Sequence, residues 1–172
     1  PDDQPQLPGY LFYDYYQPAN HVGGDYYDYV ALPDDRIAVI VADVVGHGVA
    51  AALLMAKFSA EMRFSLAVEP RPDRAVRLLN DRFSRTQQRG FVTMIMTVID
   101  PRSNEVTIVN AGHMPPVLRR QDGQIEEPGN QLSGIPIGIE ETVQYEQHTI
   151  QLEPDELLVL YTDGLNESCD PD

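Results

Sequence analysis

Apolar side chains fall in runs whose spacing changes along the chain from strand-like to helix-like and back. Leu11 to Gln17 is rich in aromatics and predicts a first strand. Tyr26 to Leu32 predicts a second. Pro33-Asp34-Asp35-Arg36 then places Pro and Asp in turn positions. Ile37 to Val45 predicts a third strand, apolar at odd and even positions alike and therefore buried on both faces. From Gly48 to about Ala67 the period lengthens. Leu54, Phe58, Met62 and Leu66 recur at helical spacing on one face, with Ala51 and Met55 alongside. Glu69-Pro70-Arg71-Pro72 ends that helix. Asp73 can cap a second helix, with Val76, Leu79 and Phe83 as its apolar stripe, which is over by Gly90.

Strands resume with Phe91 to Ile99, followed by a turn at Asp100-Pro101-Arg102-Ser103-Asn104. Glu105 to Asn110 and Pro116 to Arg120 flank Ala111-Gly112-His113-Met114-Pro115. Asp122-Gly123 is a hairpin turn before Gln124 to Glu127. Val143 to Leu152 and Leu157 to Thr162 complete the set. Short links between strands favour antiparallel pairing. The order of strands, two helices and many strands predicts an α+β fold, with sheet packed on sheet and helices outside.

The chain has 172 residues, 42% of them hydrophobic, enough for one domain with a sizeable core. No apolar stretch approaches the ~20 residues of a membrane helix. A net charge of −15 argues against nucleic acid and anionic membranes as partners. One cysteine, Cys169, excludes an internal disulfide and fits a reducing cytoplasm. Pro1 to Gly9 is polar and Pro-rich, and is expected to be a linker from an upstream domain.

Three acids change the picture. Asp43 ends the apolar run Ile37 to Ala42 and is followed by Val44-Val45-Gly46-His47-Gly48. Asp163 ends Leu157 to Thr162, where a dense apolar strand is expected to hold it in place. Asp25 follows Gly23-Gly24, at the start of the strand that should pair with the Asp43 strand. In that antiparallel hairpin the start of one strand lies beside the end of the other, so Asp25 and Asp43 should be neighbours. Adjacent, partly buried carboxylates raise each other's pKa, and a divalent cation removes the conflict. Oxygen ligands without Cys or His suit Mg²⁺ or Mn²⁺. Gly46-His47-Gly48 with Ala51 also has dinucleotide-loop spacing, but that site needs a parallel strand after the helix, and here a second helix follows. His47 reads equally as a helix-start residue near solvent and as a catalytic group.

Four segments occur here in one order: Val22-Gly23-Gly24-Asp25-Tyr26-Tyr27-Asp28, Ala42-Asp43-Val44-Val45-Gly46-His47-Gly48 with Ala50 to Ala56, Asn110-Ala111-Gly112-His113, and Tyr161-Thr162-Asp163-Gly164. Together they resemble the bacterial SpoIIE-like branch of the metal-dependent (PPM, type 2C) serine/threonine phosphatases. The resemblance implies a four-layer α-β-β-α sandwich of two mainly antiparallel sheets flanked by helices. It implies Asp43 as the acid bridging two Mn²⁺ or Mg²⁺ ions, the main-chain carbonyl of Val44 as a further ligand, Asp163 on one ion, and Asp25 acting directly or through water. Metal-activated water would hydrolyse a phosphoserine or phosphothreonine, in this branch usually on an anti-sigma-factor antagonist. An upstream sensor or response-regulator receiver domain, as in two-component signalling, is implied. A cytoplasmic location and a homodimer both fit. Family members continue past Asp163 through a helix and a last strand bearing another metal-binding Asp. Asp170 and Asp172 follow Asp163 too closely to replace it. The expected domain, residues 10–172, is therefore C-terminally truncated, lacking its final helix and strand. That expectation leaves a second reading open, a non-catalytic module that binds its partner without turnover. The Asn110 to His113 loop reads either as a buttress for the site or as a plain strand connection.

Overall fold

The structure, a computed structural model, describes residues 4–17, 24–46, 48–85 and 90–165. Two hairpin strands, β1 (Asp25–Ala31) and β2 (Ile37–Val44), are joined by a short 3-10 turn at Pro33–Asp35. Helices α1 (Gly48–Val68) and α2 (Pro72–Ser84) follow, and then β3 (Val92–Asp100), β4 (Glu105–Ala111), β5 (Val117–Arg119), β6 (Ile125–Glu126), β7 (Gln147–Gln151) and β8 (Leu157–Val159). One sheet has five strands in the order β1-β2-β3-β4-β7, and the other has three in the order β6-β5-β8. Every strand pairing in both sheets is antiparallel. The antiparallel pairing of β2 with β3 across the two helices removes the parallel unit that a dinucleotide loop would need.

The two-faced burial of β2 explains the layering. Ala38, Ile40, Ala42 and Val44 face the helices and join a core with Phe58, Met62, Leu79 and Met96. Ile37, Val39 and Val41 face the other way, into a second core with Ile95, Leu118, Ile150 and Leu158 between the sheets. A continuous apolar run is what a strand between two cores requires. Among the described residues the layers are helices, five-stranded sheet and three-stranded sheet. Leu157 and Val159 on the outer face of the smaller sheet are 49% and 37% exposed.

Three local expectations are corrected. Residues 11–17 form no strand. Phe12, like Tyr10 and Leu7, packs into the core between the sheets, while Leu11, Tyr13 and Tyr15 face solvent. The aromatic pattern is satisfied by packing, without a ladder, and it reaches back into the segment read as a linker. Asp73 does not cap α2. Arg71 holds that position, Pro72 opens the helix, and Asp73 pairs with Arg71 at 2.9 Å. Finally, the strand expected over Leu157 to Thr162 pairs only from Leu157 to Val159, at an edge of the smaller sheet, so Asp163 is delivered by a short extension beyond the ladder. Cys169, Asp170, Asp172 and His47 lie outside the described residues.

Candidate metal centre

The hairpin register places Asp25 directly opposite Asp43, as strand geometry demands. Asp163 enters from the other sheet, in a 3-10 turn at Asp163–Leu165 just beyond β8. One carboxylate oxygen from each of the three acids lies within 4.8 Å of the others. Asp25 and Asp43 are half-buried and Asp163 is exposed, so the cluster opens to solvent on one side. Thr162 Oγ1 donates to Asp25 Oδ2 at 3.3 Å, a direct tie between the two sheets. The remaining motif acid, Asp28, is not part of the cluster. It faces α1, only 2% exposed, and accepts from Arg63 and from the Tyr26 hydroxyl, each at 2.6 Å.

The electrostatics follow from this crowding. Burial, reinforced by the charges of Asp25 and Asp163, pushes the Asp43 carboxyl up to about 6. Burial raises Asp25 as well, against the opposing hydrogen bond from Thr162. Carboxylates this close cannot all stay charged cheaply without a proton or a cation between them.

Gly24 shapes the floor of the site. A side chain there would bring a Cβ to 2.9 Å from the Val44 carbonyl oxygen and 3.0 Å from Asp43 Oδ1. Glycine thus leaves a small space lined by oxygen, with the Val44 carbonyl and the Asp43 carboxylate on its border. The Val44 N–H donates to the Gly24 carbonyl at 3.2 Å and fixes that approach. Beyond Val44 the chain turns through Gly46 and Gly48, at φ +103° and +74°, values that L side chains rarely adopt. The donors clustered among the described residues are three carboxylates, and the carbonyl of Val44 follows Asp43 in the chain. This set fits a hard divalent cation such as Mg²⁺ or Mn²⁺ and lacks the Cys and His of a zinc site.

Sequence reasoning missed two contributors. Thr162 belongs to the Tyr161-Thr162-Asp163-Gly164 motif, but nothing in the sequence assigns it the contact with Asp25. Thr93 lies opposite Asp43 in the β2–β3 register and its hydroxyl meets His113 Nδ1 at 2.8 Å. The β2–β3 register could have pointed to Thr93, but two helices intervene and it cannot be counted from the chain. His113 is 7% exposed, and its Nε2 lies 3.0 Å from the Tyr161 carbonyl oxygen.

The layered fold matches solved phosphatase domains. Over 86% of this chain and 43% of the other, the structure superimposes with a TM-score of 0.74 and 26% identity on the PP2C phosphatase domain, with a regulatory fragment, of SpoIIE from Bacillus subtilis. A structure of the RsbU and RsbW domains of Rv1364c from Mycobacterium tuberculosis gives a TM-score of 0.76 at 29% identity, covering 87% and 41% of the two chains. The architecture is thus that of a PP2C phosphatase domain. Residues 33–172 match the family model for Stage II sporulation protein E (SpoIIE), and the chain belongs to that family. It is also 29% identical to the phosphoserine phosphatase RsbP of Bacillus subtilis, over 88% of this chain and 38% of RsbP. The chain therefore spans well under half the length of that relative. No described helix is long and apolar enough to cross a membrane.

Proposed function

We propose that this domain is a metal-dependent phosphoserine/phosphothreonine protein phosphatase. The observation that carries the proposal is the convergence of Asp25, Asp43 and Asp163 within 4.8 Å from distant parts of the chain. Asp43, opposite Asp25 and beside the Val44 carbonyl in the chain, would be the central ligand for the Mn²⁺ or Mg²⁺ ions. Asp163 would hold an ion from the solvent side, and Asp25, oriented by Thr162, would act directly or through water. Bound there, the cations supply Lewis-acid activation of water and neutralise charge on the phosphoryl oxygens. The chain's own part is to hold the carboxylates close, to aim Asp25 through Thr162, and to leave the Asp163 side open to a phosphorylated protein. The resemblance of the motifs to the SpoIIE-like branch, with a phosphoserine phosphatase among the relatives, supports a phosphorylated anti-sigma-factor antagonist as the substrate. The same resemblance supports a cytoplasmic setting behind an upstream sensor or receiver domain.

Asp43→Asn in the full-length protein is expected to abolish Mn²⁺-dependent hydrolysis of p-nitrophenyl phosphate and of a phosphorylated antagonist. Undiminished turnover would sink the assignment. The openness of the cluster at Asp163 serves equally a second reading, a module that binds its phosphoprotein partner without turnover. That reading holds if the wild-type protein retains the partner on a column in Mn²⁺ yet releases no phosphate from it.

A further inference from the structure

We propose that His113 is a positioning residue of the metal centre, setting the distance between the Asp25–Asp43 pair and Asp163. The inference rests on the metal-centre reading above and adds a residue to it. His113 sits in the loop after β4 with both ring nitrogens engaged across the gap between the sheets. Nε2 faces the Tyr161 carbonyl, which can only accept, so Nε2 carries the proton. Nδ1 is then free to accept from the Thr93 hydroxyl, and the neutral ring satisfies both partners.

These contacts close a ring of links around the acids. Asp25 pairs with Asp43 in β1–β2, and Asp43 pairs with Thr93 in β2–β3. Thr93 binds His113, His113 binds the Tyr161 carbonyl, and the next residue, Thr162, returns to Asp25 at 3.3 Å. Asp163 follows directly. Because β8 is an edge strand that stops at Val159, the ladder does not fix Asp163, and the ties at Tyr161 and Thr162 do.

The histidine is itself held. Its N–H donates to Asn110 Oδ1 at 2.8 Å, and Asn110 Nδ2 donates to its carbonyl at 2.9 Å. Gly112, at φ +71°, lies so close to Pro136 that a Cβ would approach its ring to 2.5 Å. A stiff loop thus presents a ring whose two nitrogens bridge fixed points on either sheet. Groups that orient metal ligands from behind commonly change metal affinity by about 10–100-fold when removed.

The test uses the full-length protein and Mn²⁺ alone as the probe, with binding read by calorimetry and by the EPR spectrum of the bound ion. His113→Phe keeps the ring volume and loses both hydrogen bonds. Thr93→Val removes one partner, and Thr93→Ser restores it. Both disabling variants should weaken Mn²⁺ binding about tenfold or more. Thr93→Ser should bind within about twofold of wild type, and KM for p-nitrophenyl phosphate at saturating Mn²⁺ should barely move. If His113→Phe does not fold, the Thr93 pair decides. Wild-type affinity in Thr93→Val would overturn the role of His113 while leaving the metal centre standing. A wild-type protein that binds no Mn²⁺ would overturn the metal reading, and this inference with it.

Discussion

Asp43→Asn should stabilise the domain when no metal is present, although it is expected to destroy activity. The folded Asp43 carboxyl is pushed up to about 6 from an ordinary 3.8. A shift of about two pKa units corresponds to about 3 kcal/mol of differential interaction. Asp43 is only half-buried and the site is open at Asp163, so solvent screening reduces the usable figure to about 1–2 kcal/mol. A folded-state pKa raised above the unfolded value contributes fully below pH ~4, where the group is protonated in both states. That contribution is lost as pH rises through about 6. In EDTA the wild-type domain should therefore lose stability between about pH 4 and pH 6.5, and Asp43→Asn should lose less. Thermal denaturation followed by circular dichroism at pH 7.5 should place the variant higher by roughly 2–8 °C, at about 2–4 °C per kcal/mol for a domain of this size. At pH 4 the gain should vanish, and with excess Mn²⁺ the order should reverse. A variant less stable than wild type in EDTA at pH 7.5, or a gain that is the same at pH 4, would refute the repulsion on which the metal reading depends.

Other consequences follow from single contacts. Gly24→Ala would drive its Cβ against the Val44 carbonyl at 2.9 Å, so phosphatase activity should fall at least about tenfold and stability by about 1–3 kcal/mol; wild-type kcat would show that the floor of the site can yield. Arg63→Met removes one partner of the buried Asp28, which keeps the Tyr26 hydroxyl and the Tyr29 N–H, so urea denaturation should register a loss of about 1–3 kcal/mol. Phe58→Ala empties the fully buried centre of the helix-side core and should cost about 3–5 kcal/mol; a loss below about 1 kcal/mol would mean that the two helices repack.

Much of the site was legible because one of its distances is local. A short connection fixes the register of β1 on β2, so the Asp25–Asp43 pair could be deduced from the hairpin. Nothing local brings Asp163 to them, and its place rested on motif order and resemblance. The apolar run ending at Thr162 reads as a strand that holds Asp163 in place, because sequence does not show whether Leu157 and Val159 are covered. In the described structure they face solvent at an edge. The aromatic stretch from Leu11 to Gln17 failed as a strand for a related reason. Alternate side chains can enter a core whether or not the backbone pairs. Thr93 was invisible because its significance lies in a register set across two helices.

The tie between Thr162 and Asp25 joins residues 137 positions apart. A cation gripping Asp25, Asp43 and Asp163 would therefore act as a reversible cross-link that closes nearly the whole chain into a loop. Closing a loop of that length costs configurational entropy that grows only slowly with size, so the burden falls mainly on the first closure. Metal occupancy would thus be coupled to completion of the entire fold, not to the state of one loop. Removing the ion should loosen amide protection in β8 and β1 together, the two elements that the ion would staple.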